Sequence, residues 1–300
     1  MFCKGSTLNA LVFSYRLKIY YFRKSLFNKM LQIKIFLNIL LNRFPEDCVN
    51  EARFIINNGV WVFPYPFIYN YINRKVSVFY EEGFPFVFFE GKKMFFKKGW
   101  GKEKVEIYFN DISCEQDVES PHKYCTDTFQ PSNNSILLDI GSAEGNFALE
   151  YVEKVKKVYV FERDQEWVHA LNMTFSKFLN KVNIVQKNIG CEDSGSTISL
   201  DSFPVLYNEE LFIKVDADGA ELEVLKGMDV ILRRGTNIKI AICTYHRQYD
   251  YMILDNFLRS YNFRTDFSKN KMLFYFDKRI KFPYFRNGVL RATKCADFET

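Results

Sequence analysis

The sequence predicts an α/β fold: a parallel sheet wound with helices and closed by an antiparallel hairpin, preceded by a small α+β lobe. Two observations carry the sheet. From Ser135 onward, short β-branched runs alternate with longer helical patterns, the arrangement of successive strand–helix–strand units. Two late runs, Phe263 to Phe267 and Met272 to Phe276, are joined by too few residues for a parallel crossover, so they predict an antiparallel pair. A third observation sets the lobe apart: residues 1–128 lack this rhythm and residues 129–300 hold it.

Taken in order, the predicted parallel strands are Ile136 to Ile140, Lys157 to Phe161, Val182 to Gln186, Leu211 to Val215 and Ile238 to Cys243. Helices are predicted between and after them, at Asn146 to Val155, Gln165 to Leu179, Ala220 to Arg233 and Asp250 to Tyr261. In the third helix Leu222, Leu225, Met228 and Leu232 form one apolar stripe to face the sheet. In the lobe, Val76 to Tyr80 and Phe86 to Phe96 read as a hairpin, with Glu90-Gly91-Lys92-Lys93 as the turn.

Composition bounds the function. A 48% hydrophobic and 26% charged content is that of a folded domain, and a charge of +5 over 300 residues is too dilute for a nucleic-acid face. Seven cysteines with no C-x-x-C pair point to reduced thiols in the cytoplasm rather than a disulfide frame or zinc site. Lys4, Arg16, Lys18, Arg23, Lys24, Lys29, Lys34 and Arg43 precede the first acidic residue and surround apolar runs too short to span a bilayer. That pattern predicts peripheral contact with anionic membrane, unless the stretch is a solvated appendage or Met30 is the true start.

The chemistry gathers at strand ends. In LLDIGSAEGNF, Asp139 lies at the end of the first strand, and Gly141 and Gly145 occupy the turn that opens a helix. Such a turn brings backbone N–H groups close to a ligand. A dinucleotide site would read G-x-G-x-x-G; here the second glycine is missing and the turn reads D-x-G-x-x-x-G. It resembles the adenosylmethionine-binding turn, whose ligand has no phosphate to cradle. VYVFERD puts Glu162 at the carboxyl end of the second strand, where an acidic residue about 20 residues beyond the glycine turn binds ribose hydroxyls. The fourth strand ends with Asp216 and Asp218, placed to face the crevice; alternatively Asp218 or Ala217 caps the next helix and Asp216 holds the loop. His246 follows the fifth strand and is the stronger histidine candidate, ahead of His122.

In this order and spacing, DIGSAEGNFAL, VYVFERDQEW, ISLDSF, FIKVDADGAELEVLKG and CTYHRQYD resemble the FkbM family of methyltransferases, and EQDVESPHKY and PYFRNGVLRA resemble a glycan-cluster branch of it. The resemblance covers Asp111 to Lys294. It implies a Rossmann-like class I methyltransferase sheet, S-adenosyl-L-methionine as cofactor, and methyl transfer to a hydroxyl of a sugar or surface-glycan precursor. The cofactor-binding set is then Asp139, Gly141, Ser142, Glu144, Gly145, Asn146, Glu162 and Asn188. Because a hydroxyl is a poor nucleophile at its free pKa, Asp216 and His246 are the catalytic candidates. No metal ligands are assigned. Where the family most often has DVEG, this chain has Asp216-Ala217-Asp218-Gly219, a shorter carboxylate. An amino-sugar nitrogen as acceptor stays open, as does a non-catalytic scaffold in glycan assembly, although the retained glycine turn and Glu162 weigh against the scaffold. The run from Lys278 to Lys294 interleaves Arg279, Lys281, Arg286 and Arg291 with Phe282, Tyr284 and Phe285, which suits a phosphate-linked sugar or, alternatively, covers the sheet edge.

Overall fold

The computed structural model describes residues 25–234, 237–277 and 279–294. Its centre is a seven-stranded sheet built from β4 (Ile136–Ile140), β5 (Lys157–Phe161), β6 (Val182–Val185), β9 (Leu211–Val215), β10 (Ile238–Cys243), β11 (Arg264–Phe267) and β12 (Val289–Lys294). The order across it is β11-β12-β10-β9-β4-β5-β6. Strands β6, β5, β4, β9 and β10 run parallel, and β12 is antiparallel to both β10 and β11. All five residues of β4 and of β9 are buried, as an interior strand covered on both faces requires.

The chain winds outward from β4 through β5 to β6, then returns and winds the other way through β9 and β10. Ligands in open α/β sheets bind outside the carboxyl ends of the strands where the winding reverses, here between β4 and β9. Helices α4 (Asn146–Tyr151), α5 (Gln165–Thr174), α6 (Glu221–Lys226), α7 (Asp229–Arg234) and α8 (Asp250–Ser260) make the connections. A two-stranded sheet of β7 (Asn188–Ile189) and β8 (Thr197–Ile198) follows β6.

Two expectations differ in detail. The helix predicted from Ala220 to Arg233 is broken into α6 and α7. A Cβ at Gly227 would lie 1.9 Å from the Gly190 carbonyl oxygen, so the backbone turns there against the β7 loop. Asp201 then accepts from Val230 N and Ile231 N at the start of α7. The closing antiparallel pair exists, but β11 pairs with β12 and not with Met272 to Phe276. Met272 makes a single bridge to Arg286, and Leu273 N donates to the Val62 carbonyl, which ties this stretch to the lobe.

The lobe carries a helical segment at 25–40 (α1), α2 (Val49–Asn58), an antiparallel sheet of β1 (Phe79–Glu81), β2 (Phe84–Phe89) and β3 (Lys92–Phe95), and α3 (Lys102–Glu115). Glu90 and Gly91 turn between β2 and β3 with positive φ at both. The predicted run Phe86 to Phe96 therefore contains the turn, all of β3 and most of β2. Phe95 N donates to Thr174 Oγ1, and the apolar core runs without a break from Phe86 and Met94 to Leu137 and Phe147. Gln32 Nε2 donates to the Ile55 and Ile56 carbonyls, and Leu31 and Ile35 are buried against α2, which seats α1 on the lobe.

Candidate active site

A cleft of about 600 Å³ opens at the carboxyl ends of β4, β5 and β9. Its walls are Ile140 and Gly141 from β4, Phe161 to Arg163 from β5, Lys187 to Ser194 after β6, and Asp216 to Asp218 with Ala220 and Glu223 after β9. The volume suits a cofactor-sized small molecule. Six carboxylates line it (Glu162, Glu192, Asp193, Asp216, Asp218, Glu223) against two cations, Arg163 and Lys187. That balance favours a positively charged sulfonium and opposes a pyrophosphate.

Of the residues expected to bind cofactor, Gly141, Glu162 and Asn188 line the cleft. Glu162 is held by two backbone amides: Ala143 N donates to Oε2 at 2.9 Å and Asp164 N to Oε1 at 2.7 Å. Each carboxylate oxygen has a second lone pair, so a fixed acceptor remains for hydroxyl groups. The amides of the glycine turn are otherwise used internally. Gly141 N and Ser142 N donate to the Phe161 carbonyl, and Gly145 N donates to the Ser142 carbonyl. The turn thus does not present a row of free N–H groups, as a phosphate cradle would. Gly141 is required for another reason: a Cβ there would lie 1.8 Å from the Asp216 carbonyl oxygen, so only glycine lets the ends of β4 and β9 meet.

Asp139, Ser142, Glu144 and Gly145 lie behind the cleft. Asp139 is fully buried, accepts from Ser142 Oγ at 2.8 Å and pairs with Lys214 Nζ at 3.1 Å. Lys214 Nζ also donates to the Gly141 carbonyl at 2.7 Å, locking the turn to β9. Glu144 accepts from Tyr108 OH at 2.8 Å, and burial pushes its carboxyl up to about 7. A Cβ at Gly145 would lie 2.6 Å from Leu171 Cδ2, so this glycine permits α4 to approach α5. Asn146 is half-buried and accepts from its neighbour, Phe147 N.

Asp216 and His246 are brought together, with Asp216 Oδ1 3.6 Å from His246 Nε2. Tyr124 OH donates to Asp216 Oδ2 at 3.0 Å and Tyr245 OH to Oδ1 at 3.2 Å. His122 Nε2 stands 3.5 Å from Oδ2 and 3.1 Å from the Tyr245 hydroxyl. Burial opposes the Asp216 charge, but the His122 hydrogen bond and the Lys214 ammonium outweigh it and hold the carboxyl well below its usual range. His246 is raised: burial disfavours its charge, while Glu221 and Asp216 favour it more strongly. Neither Asp218 nor Ala217 caps α6. The N-cap position is Ala220, without a side-chain cap, and Glu221 Oε1 accepts from Ala217 N and Gly219 N in the turn before the helix.

Lys214, Glu221, Tyr124 and Tyr245 were absent from the sequence-derived site. A lone lysine inside the apolar strand LFIKV was the available signal for Lys214. The tyrosines carried none, since tyrosine is abundant throughout the chain. Arg286 is a correction. Its guanidinium is buried, donating to the Tyr245 and His246 carbonyls and to Gln248 and Asp277, and so is not available to a phosphate-linked sugar. Arg291 is likewise engaged with the Lys123 and Tyr124 carbonyls, and Lys294 with that of Leu232. Lys278 lies outside the described residues.

Residues 195–265 match the model of the methyltransferase FkbM domain, a stretch that holds Asp216, Glu221 and His246 and leaves the glycine turn and Glu162 outside. No curated protein matches the chain. Among solved structures, methyltransferase FkbM from Methylobacillus flagellatus KT is similar at 16% identity and a TM-score of 0.45, covering 63% of this chain and 54% of that one. This chain therefore spans about half the length of that relative. Precorrin-6y C5,15-methyltransferase from Geobacter metallireducens GS-15 is similar at 17% identity and a TM-score of 0.38, covering 55% of this chain and 80% of that one. A putative methyltransferase from Streptococcus mutans in complex with SAH is similar at 17% identity and a TM-score of 0.36, covering 54% of this chain and 90% of that one. Over residues 195–265, then, the chain is similar to the methyltransferase FkbM domain.

Proposed function

We propose that the chain transfers the methyl group of S-adenosylmethionine to a hydroxyl oxygen of a sugar or surface-glycan precursor in the cytoplasm. The observation that carries this reading is Asp216, which lines the cleft with His246 Nε2 3.6 Å from its Oδ1, in a cleft that also holds the fixed Glu162 carboxylate. Bound there, the cofactor supplies an electrophilic methyl on a cationic sulfur. Glu162 receives the ribose hydroxyls, and the acidic lining complements the sulfonium. Asp216 and His246 orient the acceptor hydroxyl and assist loss of its proton. The cytoplasmic assignment is supported by Cys48, Cys114, Cys125, Cys191 and Cys243, which are all free.

We also propose that the protein docks on anionic membrane through α1. Leu26, Met30, Ile33, Leu37 and Leu40 fall at alternating spacings of four and three along this helix and are all exposed, beside exposed Lys29, Lys34 and Arg43. No described helix is long and apolar enough to cross a membrane. An apolar stripe flanked by cations is the pattern of a helix lying in the lipid interface.

Two measurements test the catalytic reading. Calorimetric titration should show S-adenosylhomocysteine binding and no NAD binding. Labelled S-adenosylmethionine offered with sugar, amino-sugar and peptide acceptors should mark the sugar hydroxyl. Label in the peptide alone would overturn the carbohydrate reading.

A further inference from the structure

One ligand atom each from Asp216, Glu221 and His246 lies within 4.8 Å of the others. His246 bridges the two carboxylates, with Nδ1 2.9 Å from Glu221 Oε1 and Nε2 3.6 Å from Asp216 Oδ1. The Glu221 side chain is 2% exposed, yet its Oε2 has no hydrogen-bond partner. A buried carboxylate oxygen left without a donor is costly, and each such group in a native site calls for an occupant.

We propose that Asp216, Glu221 and His246 form a divalent-cation site that meets the cleft at Asp216. Two carboxylates and one imidazole make an oxygen-rich set with a single nitrogen, which suits Mn²⁺ or Mg²⁺ better than the softer ions that thiolates select. Glu221 is fixed for this by the Ala217 and Gly219 amides on its other oxygen. Asp216 lines the cleft, so positions of the cation not filled by protein are open to an entering hydroxyl. A hydroxyl bound to a divalent cation is more acidic, so the site deepens the proposed hydroxyl methylation and rests on that reading for its role.

The test is Mn²⁺ binding to the full chain, followed by electron paramagnetic resonance, with no acceptor present. The parent should bind one Mn²⁺ per chain, competed by Mg²⁺, and Glu221→Gln and His246→Gln should each weaken binding at least tenfold. S-adenosylhomocysteine titration of the same samples serves as the folding control and reports the methyltransferase reading separately. Since Gln keeps an acceptor for the two amides, cofactor-product affinity should change less than threefold in Glu221→Gln. Absence of stoichiometric Mn²⁺ binding by the parent, or equal binding by both variants, would overturn the cation site and leave the methyltransferase reading untouched.

Discussion

Glu162 is the proposed anchor of the cofactor, and its two oxygens are already aligned by Ala143 N and Asp164 N. Loss of a charged hydrogen-bond acceptor typically costs about 1.5–3 kcal/mol, so Glu162→Ala should weaken S-adenosylhomocysteine binding by roughly 10- to 100-fold by calorimetry. General-base assistance is typically worth about 10²–10⁴ in rate. Asp216→Asn or His246→Ala should lower turnover by that order with cofactor affinity nearly intact, and full turnover in both would exclude them. Glu144 makes a separate prediction about pH. Burial lifts its carboxyl from 4.5 to about 7, so the folded protein holds a proton that the unfolded chain releases. Stability is therefore retained below pH 4.5 and lost as pH rises through about 7, by up to about 3 kcal/mol. Urea denaturation should find Glu144→Gln close to neutral at pH 5 and stabilising at pH 8. That Gly141, Glu162 and Asp216 would lie on the cleft was legible because glycine spacing and strand-end carboxylates are local signals. The service of Asp139 to Lys214 was not, because it joins residues on two strands that are adjacent only in the folded sheet.

At the scale of elements, the five parallel strands were readable almost to the residue, since buried strands are continuous apolar runs between polar turns. The partner of β11 was misread because the rule used was proximity in sequence. The true partner begins at Val289, beyond a segment that leaves to pack on the lobe. The break between α6 and α7 was hidden for a related reason. Gly227 fits a helical pattern, and only its approach to Gly190 shows why the helix stops. Gly190 lines the cleft, which links this distant contact to binding. Gly227→Ala must push the β7 loop aside or leave α6 distorted, a clash of the kind that costs about 1–3 kcal/mol. Its melting temperature should fall, and S-adenosylhomocysteine affinity should fall with it although residue 227 is not on the cleft wall. Unchanged affinity in a destabilised variant would show that the loop absorbs the shift.

For the whole molecule, the proposed docking through α1 makes a prediction of its own. Each Lys or Arg near an anionic bilayer contributes about 1 kcal/mol, so binding to phosphatidylserine vesicles should weaken with salt and be lost in the double variant Ile33→Glu, Leu40→Glu. Both positions are exposed, so the fold should persist; co-sedimentation equal to the parent's would remove the membrane reading. The placement of β12 has a consequence in time. During synthesis β10 and β11 emerge before β12, yet β12 lies between them. Until Val289 to Lys294 arrive, β10 presents an open edge able to pair with another nascent chain. The same late segment brings Arg286, whose guanidinium holds the carbonyls of Tyr245 and His246. A ribosome-bound chain halted before residue 286 should therefore be prone to aggregation and lack an ordered His246, so that translation must run nearly to residue 294 before the site can close.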